Sequence, residues 1–353
     1  MKKLLLPLFL VSSLAAHAEG VMHLFNWNNA VSSDTIKRFE AECKCKVQET
    51  YYGSMEEALA KLTAGAKGFD VIGPSNYGIP PLAKLGLLQP LDKAKLPNIR
   101  NLNPAFANTP LDPNNQYSAP YDFTVTLVGY NADKLKSLGI DPTSWAVVFD
   151  PKLLAKLKGK VTVLDDPREV IAAALRYNGF SANSQKPEEL KKAVATIKAA
   201  KPYWAAFNSQ SYIKELTLGN IWVALGYSND LFQARQDAIK AKRAFRIDYT
   251  LQKEGNGMTA DSFVIHKNAP RPDLAHQFIN FMLDGKNAAG ITNNVGAGNP
   301  NAAAKPFIDK ALLAVPAINP DAEQVKQLEQ LTDLNAATRR AWNRAWTDIK
   351  VGG

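Results

Sequence analysis

Apolar positions along the chain alternate between two rhythms. The run from Val21 to Asn26 reads as a strand; Ile36, Phe39 and Cys43 follow at helical spacing, and a second strand runs from Lys46 to Tyr52. That order is a βαβ unit, so these strands are expected to lie parallel. Ser54 and Glu57 have capping-box spacing ahead of a helix through Leu59, Leu62 and Thr63 that stops at Gly65, and the apolar pair Val71-Ile72 then ends in Gly73-Pro74-Ser75. A second set begins after Tyr121. It comprises strands Thr124 to Tyr130 and Lys160 to Leu164, helices opened by Asp166-Pro167 and Pro187-Glu188-Glu189, a strand Asn220 to Leu225, a helix Leu231 to Ala244 and a strand Arg246 to Leu251. The stretch Asp321 to Ile349, with Val325, Leu328, Leu331, Leu334, Trp342 and Trp346, predicts helix packed on this second set.

A chain of 353 residues exceeds what one core usually serves, and the pattern contains no low-complexity tether. Two α/β lobes are therefore expected, joined by strands that cross between them. In such open sheets the crevice beyond the carboxyl ends of the strands is where ligands bind. This selects Asn26 to Asn29, Pro74 to Tyr77, Asp165 to Glu169, Gly226 to Asp230 and Met258 to Ser262.

The first eighteen residues combine Lys2-Lys3, an apolar run from Leu4 to Val11 and the small-residue ending Ala16-His17-Ala18, the pattern of a cleavable secretory signal. The apolar run is shorter than the roughly 20 residues of a membrane anchor, and no Cys follows it to accept a lipid. A protein free in the periplasm is expected. Removing Lys2 and Lys3 from the formal net charge of +9 leaves +7, with Lys and Arg scattered and densest only between Lys240 and Arg246, so nucleic acid is excluded as a partner. A cationic ligand gains no long-range attraction from such a surface and must be held by local carboxylates. The two cysteines, Cys43 and Cys45, leave a short-loop disulfide and two unpaired thiols both open, and neither they nor the dispersed His23, His266 and His276 have metal-ligand spacing. No cofactor or metal is expected.

The crevice segments carry acids and aromatics, each with an ordinary structural reading. Asp166 and Glu169 bracket Pro167 as N-cap and N3 of a helix. Ser75, Asn28 and Asn76 suit turns after strands, Asp230 suits the cap of a helix beginning at Leu231, and Asp261 suits a solvated loop. Trp27, Tyr77 and Tyr227 suit lobe-interface packing, and Trp222 suits the core.

Taken together, Asn26-Trp27, Gly73-Pro74-Ser75-Asn76-Tyr77, Leu164-Asp165-Asp166-Pro167-Arg168-Glu169-Val170, Asn208 to Ile213, Gly226-Tyr227-Ser228-Asn229-Asp230, Lys253-Glu254-Gly255 with Asp261, and Arg344-Ala345-Trp346-Thr347 resemble the periplasmic polyamine-binding proteins of ABC importers, closer to the putrescine-binding branch. The resemblance spans nearly the whole chain after the signal. It implies an α/β, two-lobed periplasmic binding protein (type II), each lobe a mixed, mostly parallel sheet flanked by helices, with the ligand in the cleft. The lobes would comprise residues 19–127 with 259–302, and 128–258 with 303–353. It further implies a monomer that serves an inner-membrane ABC permease, and ligand contacts at Trp27, Asn28, Ser75, Tyr77, Asp166, Glu169, Tyr227, Asp230 and Asp261.

Chemistry supports that set, since desolvated ammonium ends need carboxylates and aromatic faces. Asn29, Ala30, Thr259 and Ala297 stand where this family commonly has an acid or aromatics, which thins the cage and favours short ligands. An ω-amino acid such as 4-aminobutyrate or 5-aminovalerate is the alternative ligand, with Arg168 as its carboxylate partner. An enzyme is not expected, because no nucleophile is paired with a base. A sensory role would use the same site.

Overall fold

The computed structural model describes residues 20–351, so the expected signal and its cleavage point lie outside the described residues. β1 (Gly20–Trp27) lies between β2 (Cys45–Tyr52) and β3 (Val71–Ile72), parallel to both, and the helices Ser33–Cys43 and Met55–Thr63 connect them. Ser32 caps the first helix by accepting from the Thr35 amide, and Ser54 caps the second by accepting from the Glu57 amide. Glu57 does not complete the box, because its Oε2 accepts from the Gly53 amide at 2.8 Å. Cys43 and Cys45 form a disulfide across Lys44, which takes a left-handed conformation at φ 53° and ends the first helix.

Two long strands cross between strand sets. β4 (Leu88–Gln89) is a short edge piece, and β5 (Ser118–Asn131) extends the expected strand toward its N-terminus by six residues. Its first half pairs antiparallel with β10 (Asn256–His266). Its second half pairs antiparallel with β8 (Val223–Tyr227) and β9 (Ile247–Thr250). β8 continues to β6 (Val161–Val163) and β7 (Ala206–Phe207) through parallel pairs. The path is therefore β2-β1-β3-β10-β5-β8-β6-β7, with β4 and β11 (Leu328–Gln330) on β10 and β9 on β5. This is an α/β fold with mixed sheets flanked by helices.

Burial follows the strand sets. One core is built on β1 and the helix Pro272–Met282, around Met22, Leu24, Phe39, Phe263 and Phe278. A second is built on β5, β6 and β8, around Trp145, Phe149, Val163, Leu225, Trp342 and Trp346. Among the described residues no helix is long and apolar enough to cross a membrane.

The stretch Asp321 to Ile349 is not one helix. A short helix, Ala322–Gln327, gives way to β11 and then to the helix Ala336–Val351. The periodic leucines are shared between elements: Leu328 to Gln330 pair with Asn256 to Met258, and the Leu331 amide donates to the Met258 carbonyl at 2.8 Å. Sheet pairing here overrides helical spacing. Trp222 is only partly buried, lying between Lys134 and Lys160, whose ammonium groups sit 5.4 and 5.5 Å from its ring.

Candidate functional site

Residues from both strand sets line a cleft of about 550 Å³, part of it open to solvent. It is a narrow slot. Trp27 and Asn28 reach it from the end of β1, Ser75 from the turn after β3, Tyr227 from the end of β8, and Glu169 and Asp230 from the first turns of their helices. These are carboxyl ends of strands and the elements that follow them. Asp261 enters differently, from within β10 at a register shift between Asp261 and Ser262, and it is buried rather than in a solvated loop.

The Ser75 hydroxyl donates to Asp261 Oδ1 at 2.7 Å. Asp122, in β5, stands across from Asp261 in the strand register and lines the same space. The Tyr227 amide donates to the Tyr212 hydroxyl at 3.1 Å, and that hydroxyl donates to Asp230 Oδ2 at 2.6 Å. Gly226 makes this arrangement possible, since a Cβ there would lie 2.4 Å from the Tyr212 ring. Asp230 Oδ1 accepts from Asn29 Nδ2 at 3.2 Å, so a side chain of the first strand set reaches a carboxylate of the second. Asp230 caps nothing: it lies inside the helix Ser228–Lys240. Glu169 accepts from the Thr126 hydroxyl at 2.7 Å and the Thr259 hydroxyl at 3.4 Å. The aromatic walls are Trp27, Tyr52 and Tyr227, with the Trp27 ring centre 4.5 Å from that of Tyr52 and 6.1 Å from that of Tyr227.

Three expected residues do not line the slot. Asp166 is the helix N-cap, accepting from the Arg168 and Glu169 amides at 2.8 and 3.3 Å, and it also accepts from the Tyr227 hydroxyl at 3.3 Å. It positions Tyr227 from behind. Tyr77 is buried under Arg168, whose guanidinium carbon lies 5.8 Å from its ring centre and 5.1 Å from that of Trp342. Arg168 is not available to a ligand carboxylate, because its guanidinium donates to the Ala182 and Thr332 carbonyls and to Asn183. Tyr52, Gly53, Asp122 and Thr124 also line the slot though the sequence marked none of them as a ligand contact, and Ser209 and Asn229 line it from segments that carry the family resemblance. Of the four positions expected to thin the cage, Ala30 and Thr259 are on its wall, Asn29 binds Asp230, and Ala297 lies in the core.

The electrostatics are one-sided. Asp122, Glu169, Asp230 and Asp261 are all under 8% exposed, and among the described residues lining the slot none is Lys, Arg or His. Burial, reinforced by Asp166, raises Glu169 to about 7; burial raises Asp261 to about 7 against the opposing Ser75 hydrogen bond. Burial likewise raises Asp230 to about 6, and burial with Glu56 nearby raises Asp166 to about 8. Asp122 Oδ1 and Asn229 Oδ1 are buried acceptors without a donor among the described residues. Carboxylates so placed need a cation that also supplies hydrogen-bond donors. No group of three or more His, Cys, Asp or Glu among the described residues is arranged to hold a metal ion. The slot suits a thin organic cation.

Comparison with known proteins agrees. Residues 34–345 match the family model described as bacterial extracellular solute-binding protein. The chain is 52% identical over 352 residues to a Pseudomonas aeruginosa protein named putrescine/cadaverine-binding protein, covering 99% of each. It is 34% identical to the Escherichia coli putrescine-binding periplasmic protein PotF, covering 97% of this chain and 94% of that one. Among solved structures, one titled as a putative spermidine/putrescine ABC transporter from Listeria monocytogenes superposes with a TM-score of 0.84 at 28% identity, over 94% of this chain and 99% of that one.

Proposed function

Because this chain belongs to the bacterial extracellular solute-binding protein family, we propose that it is the periplasmic component of an ABC importer that captures a short diamine such as putrescine. The observation that carries this is the slot itself: four buried carboxylates from both strand sets, with no cation among its lining residues. A diammonium ligand places one charged end at Asp261 and the other at Asp230. Glu169 faces the region between them, and Trp27, Tyr52 and Tyr227 pack along the methylene stem and the cations. Asp166 serves this site through Tyr227.

An ω-amino acid fits less well. Its carboxylate would enter a space already crowded with acids, and Arg168 is committed elsewhere. The protein has no catalytic role in this reading: it closes on its ligand and hands it, as a monomer, to an inner-membrane permease. In this reading the described parts of residues 19–127 with 259–302 form one lobe and those of 128–258 with 303–353 the other, with β5 and β10 crossing between them where a closing motion would pivot. Delivery to a sensor would use the same closed form.

Length selectivity tests the proposal. Equilibrium titration with putrescine, cadaverine and spermidine at one salt concentration is expected to rank the two diamines roughly tenfold or more above spermidine, whose third cation lacks its own acid and aromatic partner in the thinned cage. Tightest binding by spermidine would refute the length argument.

A further inference from the structure

β5 gives no structural reason for a charge at its centre, since Ala119, Tyr121 and Phe123 around Asp122 are all core residues. Asp122 is nevertheless 1% exposed and has an acceptor oxygen with no donor among the described residues. The register sets it across from Asp261 on the adjacent strand, and such cross-strand neighbours share one face with their Cβ atoms about 5 Å apart. Both side chains line the slot. The groups that bear on this pair are Tyr52 from β2, Tyr121 from β5, Ser75 from the turn after β3 and Glu169 from its helix, all of them neutral or acidic. Two carboxylates cannot both ionise in such a place unless a cation joins them.

We infer that Asp122 and Asp261 grip one primary ammonium of the ligand between them, which makes Asp122 a specificity-determining residue of this site. The inference rests on the diamine reading above. In the free protein the pair shares one proton; burial and the neighbouring Asp261 hold Asp122 far above the usual carboxylate range. On binding, the ammonium takes that proton's place and the proton leaves for solvent, so charge balances. A primary ammonium suits the pair because its compact head carries three N–H donors, enough for both carboxylates. A carboxylate end would be repelled there.

The test is titration calorimetry of Asp122→Asn and the parent with putrescine, in two buffers of different ionisation enthalpy at about pH 6.5, where the shared proton is still bound. Deleting one partner of a buried charged contact is expected to weaken binding by about 30-fold or more, and the protons released per ligand should fall by roughly half or more. Asp122→Ser provides a second neutral replacement. Affinity within threefold of the parent together with unchanged proton release, in either folded variant, overturns the inference. So does failure of both variants to fold, which would assign Asp122 to the scaffold. A parent that binds no diamine overturns the underlying reading instead, and is recognised because the variants are then not needed.

Discussion

Asp261→Ala is expected to remove putrescine binding while leaving the ligand-free protein at least as stable as the parent. The side chain is buried, its carboxyl is raised to about 7, and its one hydrogen bond inside the protein comes from the Ser75 hydroxyl. It thus contributes little to the fold and faces the slot. Losing a desolvated, charge-assisted contact costs about 2 to 5 kcal/mol, or some 30-fold to several thousand-fold in affinity. The fold should tolerate the change because a buried, poorly satisfied carboxyl is itself unfavourable. Thermal melting with and without putrescine, followed by titration, separates the two effects. An Asp261→Ala protein that binds like the parent shows that Asp261 is not an anchor, and one that melts far below the parent shows that it belongs to the scaffold.

Affinity for putrescine is expected to rise by about 100-fold or more from pH 5 to pH 8. Glu169 and Asp261 sit at about 7 and Asp230 at about 6 in the free protein, whereas the ligand's alkyl amines, with pKa near that of Lys at about 10, stay charged throughout. Bound cations favour the ionised carboxylates, so binding below about pH 7 must expel protons and weakens as they become more abundant. The stability of the free protein moves the other way. These acids are raised above their unfolded values of about 4, so the folded chain holds more protons than the unfolded one between about pH 4 and pH 7. Their contribution is fully present below that window and is lost as pH rises through it. The rise in melting temperature on adding putrescine should therefore grow from pH 5 to pH 8, and Glu169→Gln should flatten that growth. A ligand-induced shift that is constant across the range would show that the slot acids are ionised without ligand.

The alternating strands and helices were legible because each must bury one face, and the caps at Ser54 and Asp166 sit where spacing places them. The site was legible only in part. Asp166 and Glu169 have capping-box spacing, and the structure divides the roles: Asp166 caps, whereas Glu169 turns to Thr126 and Thr259 on the crossing strands. Arg168 is adjacent to Glu169, but successive residues on a helix point about 100° apart, so the two cannot both face the slot. Tyr77 follows Ser75 through a tight turn that carries it away toward Arg168. Asp122 and Tyr52 were hidden because cross-strand register is not written in the linear sequence: Asp122 matters through Asp261, and Tyr52 through its pairing with Trp27. Asp122 as the one charged residue of β5 was the available signal for it. The same holds for β11, where Leu328 satisfies helical spacing but pairs with Asn256 of β10.

In the proposed function the slot recognises two cations held apart by an unbranched stem. Titrating the protein at a single pH and salt concentration with putrescine, n-butylamine and 4-aminobutyrate tests it most directly, because the three share a four-carbon stem and one amine and differ only at the other end. Putrescine is expected to bind about 30-fold or more tightly than either analogue, since each leaves the far carboxylates without a cation. Equal binding by n-butylamine, or tighter binding by 4-aminobutyrate, would contradict it.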